Sequence, residues 1–320
     1  MKKTASDEKP QAPKSSGSAG GQAARVLVIL GVNAAVVLAA ALVAGEHKLP
    51  DFTHSTLAVG LLPVSAAFGL ILVCRRIDFT LPLLLVLAGN LPHSAPWLPS
   101  DKFLQLLSVA GILAAIGLAS ALVTWYGRLS SALWTALAAL LLYGLVHSPQ
   151  ILDHASGPWP WPWAVGISLG LLVVGAAVLG RAGLVSPPST PPIMHVGSSG
   201  LAGLAAAWML AAASVALAAQ ADLAITMDEV PPASYGNVLA AGALGGAVIL
   251  RGRWGALAAV ALAGVAHVCW TYVGHVQMVC PPAHVLIKFA APAAAVPLYL
   301  AIDWLIRRWT GESTPTGLLA

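Results

Sequence analysis

Ten apolar stretches dominate this chain: residues 25–44, 56–74, 79–98, 103–125, 131–148, 162–180, 199–219, 236–250, 255–274 and 284–306. Each is bounded by a charge, a proline or a short polar turn. A helix that crosses a bilayer needs about 20 apolar residues. In hydrocarbon only helices and closed barrels satisfy every backbone group. The chain is 9% charged, against roughly a quarter in a soluble domain, so these runs read as spans and not as soluble cores. The expected fold is all-α, a polytopic transmembrane helix bundle of ten spans. The third stretch is the least regular, because Asn90, Pro92, His93 and Pro96 interrupt it. Such a break is tolerated where neighbouring helices or a cavity take up the freed backbone groups.

The charges between the stretches set an orientation. Arg75-Arg76, Arg128, Arg181, Arg251 with Arg253, and Arg307-Arg308 all follow even-numbered stretches. The opposite connections hold Lys48 and Lys102 beside Asp51, Asp101, Asp153, Asp222, Asp228 and Glu229. Positive charge collects on the cytoplasmic side, which predicts both termini in the cytoplasm. Residues 1–24 are polar and read as a disordered cytoplasmic tail, residues 25–308 as the membrane domain, and residues 309–320 as a second tail. Basic residues come singly or in pairs, which excludes a nucleic-acid surface. Cys74, Cys269 and Cys280 form no CxxC pair and support neither a disulfide framework nor a zinc knuckle. Dense glycine and alanine, as in Gly242-Ala243-Leu244-Gly245-Gly246, predict close helix packing.

Little in the stretches can carry covalent chemistry. No Ser-His-Asp set, His-Glu-x-x-His or paired aspartates fall inside them, and there is no phosphate-binding loop. Asp78 and Asp303 stand near the cytoplasmic ends of their stretches beside arginines, and no chain of ionisable groups crosses the bilayer. His267 alone lies well inside a stretch, which disfavours haem held between two histidines. The sharpest local pattern is His275, Met278, Cys280 and His284 on the outer side. Imidazole, thioether and thiolate suit a soft metal such as Cu(I), although two prolines break the spacing and outer-loop histidines are common. The inner connection 181–198 is rich in proline and serine and reads either as a linker or as a docking segment.

Several segments, in order, resemble the permease subunits of ATP-binding cassette importers of the ribose/xylose/galactose type, which are related to the branched-chain amino-acid permeases. Leu49 to Asn90, with Ile77-Asp78-Phe79-Thr80 and Leu87-Ala88-Gly89, is similar to that family's Gly-Gly-Ile-Asp-Leu-Ser and Leu-Ala-Gly signature. Tyr126-Gly127-Arg128-Leu129 followed by Ala132 to Leu137 resembles its arginine turn. Gly197 to Ala219 looks like the span after its coupling loop. Leu244-Gly245-Gly246 with Gly252-Arg253, and Val285 to Lys288 through Asp303, resemble its last segments. Three features depart from the family. Arg75-Arg76 replace glycines, Trp254 replaces a glycine, and the family's alanine- and glycine-rich coupling helix is replaced by the proline-rich 181–198.

The resemblance implies a subunit with no enzymatic role and no cofactor, ATP being hydrolysed by a partner. Its partners would be a second permease chain, identical or not, cytoplasmic ATPase subunits and an extracytoplasmic solute-binding protein. Its place would be the inner (plasma) membrane, and its cargo a sugar-like or other small polar solute moved by alternating access at the dimer interface. On that reading Asp78, Asn90 and His93 line the pathway. Arg181, Ser186, Ser189 and Met194 meet the ATPase. The alternative is a metal-binding membrane protein using His275, Met278, Cys280 and His284.

Overall fold

The computed structural model describes residues 19–44, 59–74, 76–127, 129–146, 154–155, 157–185, 198–222, 225–226, 233–250, 254–279 and 281–311. Each of the ten apolar stretches holds a helix: α1 (Ala19–Ala44), α2 (Leu62–Val73), α3 (Leu81–Ser94), α4 (Lys102–Tyr126), α5 (Ser131–Val146), α6 (Trp161–Arg181), α7 (Ser198–Ala219), α8 (Ala233–Leu244), α9 (Gly255–Val279) and α10 (Pro281–Thr310). Helix α1 starts inside the segment read from sequence as tail. Six segments are long and apolar enough to cross a membrane: Gly20–Leu42, Lys102–Tyr126, Trp161–Arg181, Leu201–Ala219, Gly255–Gly274 and Ala290–Thr310. The chain is thus a multi-pass helical membrane protein. The other four helices are shorter, and α2 and α8 have 12 residues each. At 1.5 Å per residue those two are about 18 Å long, well short of the roughly 30 Å hydrocarbon core.

Burial divides the helices as a bilayer would. Nearly all of α2 is buried, from Pro63 through Val73, as is α3 from Leu81 to Ala88. The long helices α4 and α6, and the shorter α5, keep one apolar face outward, with Leu104 and Leu107 on α4, Leu137 and Leu141 on α5, and Ile167 and Val174 on α6 all exposed. The short helices α2 and α3 therefore sit inside, while the short α5 shares the outer surface with the long helices. Trp208 and Trp270 are buried within α7 and α9.

The inner helices come close because their contact residues are small. A methyl group on Gly69 of α2 would lie 2.7 Å from the Ala259 carbonyl oxygen and 2.7 Å from the Ala263 methyl of α9. Gly117 of α4 lies flat against the Trp208 indole of α7, where a methyl would overlap the ring. Without a hydrophobic drive between helices in lipid, such close approach is the main source of association.

Two sets of four helices repeat one pattern of neighbours. Helix α2 packs along α9 as α7 packs along α4. Helix α3 touches α7 as α8 touches α2. Helix α3 also meets α4 and α5, as α8 meets α9 and α10, and α4 meets α5 as α9 meets α10. The sets α2–α5 and α7–α10 join through α2 against α7 and α3 against α8, the contacts that map onto themselves. Helices α1 and α6 flank them.

A small clasp ties the start of α6 to the end of α7. His154 and Ala155 pair antiparallel with Thr226 and Ile225. Trp159 N–H donates to the Gln220 carbonyl (3.1 Å), and Asp222 N–H donates to the Trp159 carbonyl (2.7 Å). The Asp222 carboxylate accepts the Trp161 N–H (2.7 Å).

Candidate functional site

Helix α8 ends at mid-depth. Its last carbonyl, on Leu244, accepts the Asn33 amide (3.0 Å) and the Tyr299 hydroxyl (2.7 Å). Asn33 lies near the middle of Gly20–Leu42, and Tyr299 near the middle of Ala290–Thr310. Gly245 packs on Ala263, halfway along Gly255–Gly274. Three long helices therefore place the break at the centre of the bundle. Gly246 turns the chain with φ +61°, a left-handed conformation that glycine adopts at no steric cost. The irregular backbone from 245 to 250 is buried apart from Val248. In lipid such backbone survives only inside protein or beside a cavity. From sequence this stretch was expected to stay helical to residue 250. It stops at Leu244 because two glycines follow and two side chains from other helices satisfy the freed carbonyl. Asn33 Oδ1, also buried, has no hydrogen-bond partner.

Asp78 sits on the connection into α3, 2% exposed. Its Oδ1 accepts the Thr80 N–H (2.7 Å) and the Thr80 hydroxyl, so the carboxyl caps the start of α3. Its Oδ2 has no hydrogen-bond partner. Burial pushes this carboxyl up to about 7, although the hydrogen bonds from Thr80 and Leu81 pull the other way. The connection leans on α5, where the Ile77 carbonyl accepts the Thr135 hydroxyl (3.2 Å) and the Ile77 N–H donates to Ser131 Oγ (3.4 Å).

Asn90 and His93 lie at the other end of α3. The structure brings them to one turn but not to one environment, since Asn90 is buried and His93 is exposed. Asn90 Nδ2 donates to the Val86 carbonyl (3.0 Å), and its Oδ1 is buried without a partner. Pro92 has no N–H, so the Ala88 carbonyl loses its intrahelical donor. Gln220, at the end of α7, reaches that carbonyl at 3.4 Å. Asp78 and Asn90 are thus separated by most of α3, about 18 Å for 12 residues of helix, and do not form one site.

Arg181 ends α6 exposed, its guanidinium 5.7 Å from the centre of the Trp254 ring. Ser186, Ser189 and Met194 lie outside the described residues. So does Cys280. His275 and Met278 fall in the last turns of α9 and His284 in the first turn of α10, with their side chains outside the described residues. The segment expected as a polar turn is helical on both sides of Cys280. Among the described residues no group of three His, Cys, Asp or Glu side chains could hold a metal.

Sequence reasoning missed three polar groups. Arg25 of α1 and Arg307 of α10 both clamp Asp303, Arg25 Nε to Oδ1 at 2.7 Å and Arg307 Nε to Oδ2 at 2.9 Å, all three side chains nearly fully buried. This puts the start of α1 and the end of α10 at one level. Ser65 of α2 bonds His267 Nδ1 of α9 at 2.8 Å. Ser168 of α6 bonds Ser214 of α7 at 2.7 Å. A lone polar residue in an apolar run is the signal that could have found the two serine contacts, whereas the pairing of Arg25 with Asp303 has no local signal.

No protein-family model matches the chain, and no curated protein and no solved structure matches it.

Proposed function

We propose that the chain is the permease subunit of an ATP-driven importer for a sugar-like or other small polar solute. One observation carries the reading: α8 stops at mid-depth with its backbone buried among three crossing helices. Interrupted helices at the interface of internal repeats are the common architecture of transport pathways. The repeated neighbour pattern of α2–α5 and α7–α10 supports it. An offset of five helices makes the two sets opposite in direction where each element crosses once, and repeats so related rock against each other in alternating access. The ordered resemblance from Leu49 to Asp303 adds the class of transporter.

On this reading all ten helices belong to the membrane domain, in the inner (plasma) membrane. The bias of arginines, and the level shared by Arg25 and Arg307, support two cytoplasmic termini. The pathway follows α3, from Asp78 at the cytoplasmic end to Asn90 and His93 at the outer end. Arg181 and the connection after it face the ATPase. Two chains make the pathway, and an outer binding protein delivers the solute.

The test is affinity capture of the full chain from its native membrane. The expected result is an ATPase subunit with a phosphate-binding loop, whose ATP hydrolysis in proteoliposomes changes when the Arg181 end is altered. A monodisperse chain that brings no ATPase and holds copper in stoichiometric amount overturns the proposal.

A further inference from the structure

Two carboxylates are buried among the described residues, Asp78 and Asp303. Their surroundings differ. Asp303 lies between two guanidiniums. Asp78 Oδ1 accepts the N–H and the hydroxyl of Thr80, the Leu81 N–H also favours the anion, and Oδ2 is buried with no hydrogen-bond partner. A carboxylate is least stable as an anion when one oxygen is bare of both water and hydrogen bonds. A proton on Oδ2 removes the charge and leaves Oδ1 free to accept both Thr80 bonds.

Among the described residues no neighbouring helix supplies a compensating charge. Helix α2 carries no titratable residue, and α3 carries only His93, at its far end. Helix α5 presents Ser131 and Thr135 to the connection. The described parts of α7 and α8 carry no acid or base beside it, and Tyr126 at the end of α4 points out to the surface. Arg76, two residues earlier on the same connection, makes no ion pair with Asp78 among the described residues.

We propose that Asp78 is a proton-binding site, and that one proton taken from solvent onto Oδ2 seats the α2–α3 connection against α5, while its loss loosens that connection. The seat is light. Among the described residues, the hydrogen bonds that hold Ile77 to α5 are those of the Thr135 hydroxyl and a long one to Ser131, so an anion seeking water has little to break. Because burial lifts the group to about 7, the proton exchanges in the neutral range. The proposal stands whether or not an ATPase binds this chain.

The experiment uses the full chain in nanodiscs. Infrared difference spectra across neutral pH should show a protonated carboxyl band that titrates near neutrality. Asp78→Asn should remove it, and Asp78→Glu should keep it with a shifted midpoint. Absence of the band in the unmodified protein, or a midpoint in the ordinary carboxylate range, overturns the proton site. A single cysteine at Leu81, in a background without native cysteines, reports the seat. Its maleimide labelling, normalised to a cysteine at exposed Leu129, should rise severalfold on passing above neutrality. With Asp78→Asn the ratio should be independent of pH. A ratio that is flat in both chains, or rises equally in both, overturns the coupling between proton and seat.

Discussion

Asp303→Asn tests how the first and last helices are held together. Asp303 gives one carboxylate oxygen to Arg25 at 2.7 Å and the other to Arg307 at 2.9 Å, and none of the three side chains is more than 5% exposed. Each charge pair is worth about 4 kcal/mol at a charge separation near 4 Å and an effective dielectric constant near 20. The substitution keeps one oxygen, turns the other acceptor into a donor facing an N–H, and removes the anion that the two guanidiniums share. Removing one partner of a buried pair costs about 3–5 kcal/mol. Total stabilities are about 5–15 kcal/mol, so the loss is large. The assay is thermal unfolding of the purified chain in detergent or nanodiscs, where the midpoint should fall by on the order of 10 °C. A double-mutant cycle with Arg25→Gln should give a coupling of about 1–3 kcal/mol. Replacing all three residues with Arg25→Met, Asp303→Leu and Arg307→Met should recover most of the loss, because buried charge is costly to begin with. A midpoint unchanged by Asp303→Asn, or additive single effects, refutes the claim that this cluster ties α1 to α10.

Other substitutions read the packing and the breaks. Gly69→Leu forces α2 and α9 apart and should cost about 1–3 kcal/mol or more, while Gly111→Leu on α4, which meets no neighbour, should unfold like the unmodified chain. Tyr299→Phe removes one of two donors to the Leu244 carbonyl. It should cost about 0.5–1.5 kcal/mol, measured as a lower unfolding midpoint, and an unchanged midpoint would mean that α8 does not depend on this cap. For Asp78 the sign follows from linkage. The folded chain holds a proton up to about 7 that the unfolded chain has already lost in the ordinary carboxylate range. Stability should therefore fall as pH rises between those two values and level off above the higher one, with Asp78→Asn flat over the same window and the more stable chain above neutrality. Parallel pH profiles for the two chains would contradict it.

The positions of the ten helices were readable in the sequence because they depend on local hydrophobicity and on charges at the boundaries. Their lengths inside the bundle were not. Val248-Ile249-Leu250 is as apolar as any helix here, so hydropathy carries the eighth stretch to residue 250, whereas the helix stops at Leu244. Buried coil and buried helix have the same hydropathy, and only Gly245-Gly246 hinted at the difference. The start of α1 was missed for the opposite reason, since its first turns at Ala19 to Gln22 are too polar to look like a span. The contact of Arg25 with Asp303 joins residues 278 apart, which no local pattern encodes. Asn90 and His93 looked alike as breaks in one stretch, but the end of α3 has neighbours on only one side, so one residue is buried and the other exposed.

These differences share a cause that bears on function. In lipid an interrupted helix leaves carbonyls that water cannot reach, so each interruption must be matched by a donor on some other helix. The donors are the isolated polar residues of otherwise apolar runs: Asn33 and Tyr299 for the end of α8, and Gln220 for the carbonyl freed by Pro92 in α3. A bundle of uninterrupted helices would need none of them. Asn33, and with it Asp78 and Asn90, keeps one buried oxygen without a hydrogen-bond partner. Among the described residues, the spare acceptors therefore stand beside the two elements that correspond in the repeated halves: Asn90 on α3, Asp78 on the connection into it, and Asn33 of α1 against the end of α8.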